Sequence, residues 1–564
     1  MNNIPEIKGN KDCREYWIFL FILTALSLFM VCWFGPISEF SGHDYYFNIG
    51  RFNVLIDALK SGSYPIYIDY NALEGYGYFT KGFYPDLIIL PFAAIGIITG
   101  VGTAYHVMIF TMTFLCGLFS YHAVNTILKN PFAAAASAIL YTFSAYHLFD
   151  WYNRAALGES ISFTFLPIVF LGFYHIVSGN PRKWYLLTIG YSLLIYTHLL
   201  STFLATVTLG ILLLFCRKPL IKEPKRIAYL LLAVAVTLPL ISSYLLPLLE
   251  QMASNTFYYN QHENITGQTK LSLSEIGWGM LSGVAYPASK NIAGVGPILI
   301  VLVLLRLFIK EKSKYLRIAD LCAIIGLAYI LVMSFIFPWG RLPLGFIQFP
   351  WRLYEFVVLF FAVAGGYYLS ILLKTKRQYI VAASAIILFT IVVFVVNNNN
   401  YKRWQTIAKN AVPEWFTGVP ALENEYYLGR MEYLPVKVPL YEFIHQRRDS
   451  IKSSQPNTYV SNLIKDKGIT SFDVRVSSSD NLELPLIYYK GYKVVQNGKE
   501  LPVMESDYGL VQTTVAEPGN VEVFYSATAI QKISWYISLI SAFSLCIFIY
   551  ISKKKRNKAI NDKS

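Results

Sequence analysis

The sequence predicts a polytopic α-helical membrane protein, with about 12 transmembrane helices and a C-terminal extracytoplasmic β-rich domain. Composition is the first reason. Of 564 residues, 55% are hydrophobic and only 15% are charged, against about 25% charged in an average soluble protein. The second reason is that the apolar residues fall in long runs, such as 16–34 and 380–396. A run of about 20 apolar residues crosses a bilayer core. The third reason is where the positive charge lies. The short segments 1–15, 128–130, 179–183, 217–227, 310–317, 374–377 and 552–564 hold 24 Lys or Arg. The loops 35–103, 150–159, 250–292 and 338–353 are longer in total and hold 8. Cytoplasmic loops carry such an excess, so both termini are expected in the cytoplasm. These observations exclude a soluble enzyme, a disordered chain and a secreted disulfide scaffold. The net charge of +14 is a topology signal and calls for no nucleic-acid partner.

The first apolar run follows a hydrophilic N-terminus without a small-residue cleavage site and reads as a retained span. The segment 87–100 is apolar but short and carries Pro91; a crossing here would invert every later basic loop. It is expected to be interfacial or re-entrant. The run 184–216 would be about 50 Å long as one helix, too long for one span. It has basic residues at both ends and is expected to form two short spans meeting at Thr197-His198. None of the six cysteines lies in the large outer segment, and no CxxC or His-rich tract is present.

The chain is expected to divide into a transmembrane module over 1–396 with a large first outer loop at 35–103, an outer domain over 397–531, and a final span with a basic tail over 532–564. The run Asn397 to Asn400 reads as the linker into the outer domain. Residues 402–409 carry a weak helical pattern. Beyond them, 471–477, 484–489 and 521–525 alternate apolar and polar residues, as strands do. Asn497-Gly498 is a hairpin signal and 518–520 a second turn. These features predict a β-sandwich-like domain.

The candidate chemistry lies in the outer loops. Asp44, after His43, sits shortly beyond the first span, where a carboxylate can act as general base or hold a divalent metal. Glu74 and Asp86 flank an aromatic-rich stretch able to stack on sugars or to sit in the interfacial belt. Arg154 and Glu159 lie where two spans meet; Arg can bind a phosphate through two donors, or the pair can simply cap helix ends. His198 is ionisable among apolar residues, as a functional group or a packed neutral ring. Gln348 and Arg352 precede a span beside Trp351, with Glu355 one turn on. Arg352 can neutralise a lipid phosphate or anchor the interface. The predicted topology puts these clusters on one face, with acids for proton transfer and arginines for an anion.

At these residues the chain resembles the bacterial multipass proteins described as 6-pyruvoyl-tetrahydropterin-synthase-related. They are similar to GT-C fold glycosyltransferases, including those that decorate lipoteichoic acid. The resemblance rests on Gly42-His43-Asp44, Phe83-Tyr84-Pro85, Arg154 with Gly158-Glu159, 197–201 and 348–352, in that order. It implies that Asp44 is the catalytic carboxylate; His43, Glu74 and Asp86 in the same outer loop are the further catalytic candidates. It implies a polyprenyl-phosphate sugar as donor and a cell-wall polymer as acceptor. It also implies a bacterial plasma-membrane location, and in some members a divalent cation, Mg or Mn, for which Asp44 is the candidate ligand. Asp86 departs from the pattern, since related sequences often have a second Pro there. Arg154, Arg352 and Gln348 are then the candidate lipid-phosphate ligands, with Glu159 and His198 in support. The pterin label implies no chemistry, because a pterin synthase needs a zinc-binding His cluster and eight His are scattered here. A lipid-linked glycan transporter and a non-catalytic scaffold for wall assembly stand as alternatives.

Overall fold

The structure, a computed structural model, describes residues 10–36, 44–258, 269–283, 294–410, 433–439 and 441–561. Among the described residues, eight helices are long and apolar enough to cross a membrane, or nine if the bent pair Lys225–Leu240 and Ser242–Ser254 is one span. Three shorter apolar helices accompany them: Leu90–Thr99, Leu199–Phe215 and Pro297–Phe308. Leu90–Thr99 is about 15 Å long, half of a bilayer core of about 30 Å. The run 184–216 breaks at 196–198, between helices Tyr185–Ile195 and Leu199–Phe215. The chain forms two compact units.

The helical unit comprises 1–45, 98–237 and 263–411. Its helices begin where the sequence offers a cap. Asn130 accepts the Ala133 N–H and Pro131 opens helix Pro131–Thr142. His198 accepts the Ser201 N–H and opens Leu199–Phe215. Helix Leu157–Val177 packs against Tyr185–Ile195 through two glycines. A Cβ on Gly172 would stand 2.2 Å from the Leu187 nitrogen, and one on Gly190 2.8 Å from the Val169 nitrogen. Only glycine permits that approach, and it fixes the helix whose first turn carries Glu159.

One expectation needs correction. Asn397 to Asn400 are not a linker: helix Lys376–Asn410 runs through them. The Asn397 amide donates to the Val393 carbonyl at 2.9 Å, and the Asn398 amide to the Trp33 carbonyl at 3.1 Å. Tyr401 is buried against Phe34. Asparagine side chains can compete with the helix for backbone partners; here both amide nitrogens find carbonyls within the helical packing, while both amide oxygens have no hydrogen-bond partner among the described residues.

The second unit comprises 46–97, 238–262 and 412–564. Among its described residues it holds nine strands: β1 Lys452–Ser453, β2 Tyr459–Asp466, β3 Ile469–Arg475, β4 Asp480–Ile487, β5 Tyr492–Gln496, β6 Lys499–Leu501, β7 Val503–Glu505, β8 Leu510–Val515 and β9 Gly519–Tyr525. They form two antiparallel sheets, β1-β4-β8-β7 and β2-β3-β9-β5-β6. Alternate residues of both sheets enter one core, among them Phe472, Leu484, Val494, Val511 and Val523, which makes this a sandwich. Asn497 and Gly498, at φ 49° and 79°, make the two-residue turn between β5 and β6.

The same core takes in Ile68, Leu73, Tyr76, Tyr78 and Phe79. Lys465 of β2 clasps this loop. Its ammonium donates to the carbonyls of Gly75 and Pro485 at 3.1 and 3.2 Å, pairs with Asp449 at 2.6 Å, and stands 5.1 Å from the Tyr76 ring centre. Burial pulls the Lys465 ammonium below the ordinary lysine range, against the opposing pull of Asp449. Helix Ser242–Ser254 packs on Ala529–Asn561, where the Ser242 hydroxyl reaches the Ser534 carbonyl at 2.9 Å and the Ser538 hydroxyl at 3.0 Å.

Phe472 is fully buried. Phe472→Ala should remove about 3–5 kcal/mol from the sandwich by transfer loss and cavity. Hydrogen exchange followed by mass spectrometry should show β3 and β9 losing protection while the spans of the helical unit keep theirs.

Candidate active site

In the helical unit, the candidate residues from 154–159, 198 and 348–352 meet around one carboxylate. Glu159, in the first turn of Leu157–Val177, is 2% exposed. Its Oε2 pairs with Arg154 Nη1 at 2.8 Å and with Arg352 Nε at 3.5 Å. Its Oε1 accepts the Tyr146 hydroxyl at 2.5 Å. Arg154 Nη1 also pairs with Asp150 Oδ1 at 2.6 Å, and its guanidinium lies 4.8 Å from the Trp351 ring centre. Arg352 donates to the Gln348 amide oxygen at 3.3 Å and lies 5.3 Å from the Phe349 ring centre. An unpaired carboxylate is costly inside apolar surroundings, so the two arginines and the carboxylates hold one another in place.

Backbone irregularity puts both arginines there. Arg154 ends a six-residue π-helical turn, Phe149–Arg154, followed by Ala155 in the left-handed region at φ 51°. Gln348, four residues before Arg352, stands at φ 61°. A left-handed conformation outside glycine costs about 1–3 kcal/mol, and such residues gather at functional sites.

A second carboxylate adjoins the first. Glu355 is fully buried; its oxygens accept the hydroxyls of Ser162 and, at 2.8 Å, of Ser201. Ser201 also bonds His198 Nδ1 at 2.8 Å. A Cβ on Gly158 would come within 3.1 Å of the His198 ring and of the Thr197 carbonyl. His198 thus caps a helix, faces the first turn of the Glu159 helix, and joins the Glu355 hydrogen bonds.

Asp44 belongs to the same unit. Its backbone N–H donates to the Arg154 carbonyl at 3.1 Å, and its carboxylate lies within electrostatic reach of the Arg154 guanidinium. His43 lies outside the described residues. Glu74 and Asp86 belong to the other unit. Glu74, at φ 56°, bonds His445 Nδ1 at 2.7 Å. Asp86 is buried between Lys81 at 2.8 Å and Arg51 at 3.5 Å, and Arg51 also bonds the carbonyls of Tyr84 and Pro85. Among the described residues, no three His, Cys, Asp or Glu side chains converge to hold a metal ion. A divalent cation here would draw most of its ligands from substrate and water, as Mg often does.

Sequence reasoning missed Asp150 and Tyr146, and named Glu355 without giving it a role. The spacing of Asp150 four residues before Arg154 was a usable signal. Ser201 lay in the 197–201 motif without a role, and Tyr146 and Ser162 carried no signal, because their relevance depends on which helices touch.

Glu159→Gln leaves both guanidiniums without their shared charge and should destabilise the helical unit by about 3–5 kcal/mol. Glu355→Gln meets serine hydroxyls and should cost less. Thermal unfolding of the two variants in detergent tests this; equal losses would show that Glu159 is not the hub.

Comparisons with known proteins agree with the membrane reading. A sequence model of the family described as "6-pyruvoyl-tetrahydropterin synthase related domain; membrane protein" matches residues 82–401. An uncharacterized protein of Lactococcus lactis subsp. cremoris (strain MG1363) is 24% identical over 337 residues, which cover 58% of this chain and 54% of the relative. The chain thus spans about half the length of the curated relative it matches. Among solved structures, the cryo-EM structure of the mycobacterial arabinofuranosyltransferase AftD aligns with 91% of this chain and 40% of its own, at 13% identity and a TM-score of 0.47. The match over 82–401 takes in four of the five motifs, all but the one at 42–44, together with the hub carboxylate and both arginines, and places the chain in the family of 6-pyruvoyl-tetrahydropterin-synthase-related membrane proteins.

Proposed function

We infer that this protein is a membrane glycosyltransferase that moves a sugar from a polyprenyl-phosphate donor to a cell-envelope acceptor on the outer face of the bacterial plasma membrane. One observation carries the reading. Two arginines from distant parts of the chain are held side by side by one buried carboxylate, Glu159, within apolar helices. Buried charge inside a membrane domain is costly and marks function. A paired guanidinium site suits a phosphate that must be bound and then released as a leaving group. The motif resemblance to GT-C enzymes supplies the reaction class. The Lys and Arg asymmetry of the loops supports cytoplasmic termini and an outward-facing site.

In this reading Asp44 takes the proton of an acceptor hydroxyl. The acceptor oxygen attacks the anomeric carbon, the bond from that carbon to the phosphate oxygen breaks, and configuration inverts. The electron pair leaves with the polyprenyl phosphate, whose added charge Arg352 and Arg154 stabilise. Asp150 and Glu159 keep the guanidiniums in position before the donor arrives. The bond between the Asp44 N–H and the Arg154 carbonyl fits a base held close to the phosphate site.

Membranes of a deletion strain should accumulate polyprenyl-phosphate sugar and lack the decorated polymer, as read by mass spectrometry. Asp44→Asn should fail to restore transfer, with a loss of about 10²–10⁴-fold. Arg352→Lys should keep the charge but lose the planar donor pair and restore only part of the activity. Full rescue by Asp44→Asn would sink the mechanism and favour a scaffold or a transporter of lipid-linked glycan.

A further inference from the structure

The π-helical turn carries polar atoms that the fold does not use. Asp150 is fully buried: its Oδ1 pairs with Arg154, while its Oδ2 meets no hydrogen-bond partner among the described residues. Asn153 is 5% exposed, and neither its amide nitrogen nor its amide oxygen has a partner among the described residues. Buried polar groups are nearly always paired, and leaving one unpaired costs about 1–3 kcal/mol. Two such residues within four positions, beside a guanidinium, are therefore expensive to keep.

Their neighbours on the same turn are held by aromatic packing, although the Trp151 Nε1 and the Tyr152 hydroxyl also lack a hydrogen-bond partner among the described residues. Trp151 lies against His147, with ring centres 5.8 Å apart. Tyr152 stacks on Phe34 at 4.0 Å and meets Tyr401 edge-on at 5.9 Å. Those side chains serve aromatic packing. Asp150 is bonded to Arg154, and Asn153 precedes it directly. The unused acceptor of Asp150 and the unused donor and acceptor of Asn153 thus adjoin the proposed phosphate site.

We propose that Asp150 and Asn153 read the hydroxyls of the sugar carried on the lipid phosphate. A sugar hydroxyl both donates and accepts. An amide that offers one acceptor and two donors, next to a carboxylate oxygen that only accepts, matches two or more hydroxyls on one ring face. A lipid phosphate without a sugar leaves these atoms unpaired, so they discriminate for the glycosylated lipid. Sites that hydrogen-bond a substrate hydroxyl reject analogues lacking it more strongly than apolar pockets reject a missing methylene. The π-turn supplies the placement: its irregular backbone sets Arg154, Asn153 and Asp150 at one end of the Glu159 helix. This inference rests on the lipid-phosphate reading above and adds to it which residues select the sugar.

The experiment uses the full chain in nanodiscs. The probes are farnesyl phosphate and a panel of its esters with hexoses, N-acetylhexosamines and pentofuranoses. At least one ester should bind about tenfold more tightly than bare farnesyl phosphate, the worth of about one net hydrogen bond. Asn153→Leu is close to Asn in size and removes the unpaired amide. It should abolish that advantage, leave affinity for bare farnesyl phosphate within about twofold, and hold or raise the thermal midpoint. Asn153→Ala should behave alike if Leu proves too large. The proposal is overturned if no ester outbinds the bare lipid, or if the variants keep the advantage. It is also overturned if both variants lower the midpoint sharply, since Asn153 would then be held by a structural partner such as an internal water. If neither bare lipid nor ester binds the wild type, the lipid-phosphate reading itself fails, a result distinct from binding without discrimination.

Discussion

Glu159 pairs with two arginines at once, brought to it on elements from distant parts of the helical unit. A carboxylate taken out of water in a membrane domain must be paired and hydrogen-bonded. Arg154 and Arg352 supply the pairing and Tyr146 the remaining hydrogen bond. Each of these groups arrives on a different element. The close approach at Gly172 and Gly190 fixes the helix that carries Glu159, the π-turn ends at Arg154, and Gln348 turns the chain just ahead of Arg352. Loss of Glu159 would take the shared carboxylate from both arginines and leave Arg154 with Asp150.

Backbone strain is part of the same arrangement. Ala155 and Gln348 hold positive φ without being glycine, at about 1–3 kcal/mol each. Both stand within four residues of an arginine of the hub. The ion pairs offset that strain only while the hub is complete, so the strained backbone and the charges stabilise each other. Such a site is preorganised: an arriving anion would find guanidiniums already oriented and would need little rearrangement.

The second unit meets a different requirement. Aromatic residues of the first loop cannot stay exposed, and the sandwich gives them a core. Lys465 closes the contact by donating to two backbone carbonyls that would otherwise lose their partners on burial. The acids of this loop are tied within the unit, Asp86 to Lys81 and Arg51 and Glu74 to His445. Their carboxylates are held by protein partners within that unit.

Apolar run length, loop charge, the Asn-Gly turn and strand alternation determined the membrane class, the break at 196–198, the Asn497-Gly498 hairpin and strands at 471–477, 484–489 and 521–525. Each is a local signal, legible because water or lipid acts on every residue separately. The motif order also picked out Arg154, Glu159, His198 and Arg352. Their grouping around one carboxylate, the recruitment of Asp150, Tyr146, Ser162 and Ser201, and the assignment of Glu74 and Asp86 to another unit came only with tertiary structure. So did the helical fate of Asn397 and Asn398, whose amides found carbonyls in the helical packing. Long-range pairing depends on which elements touch, and a buried charge takes whichever partner the packing brings within hydrogen-bond reach; neither is written in the spacing along the chain.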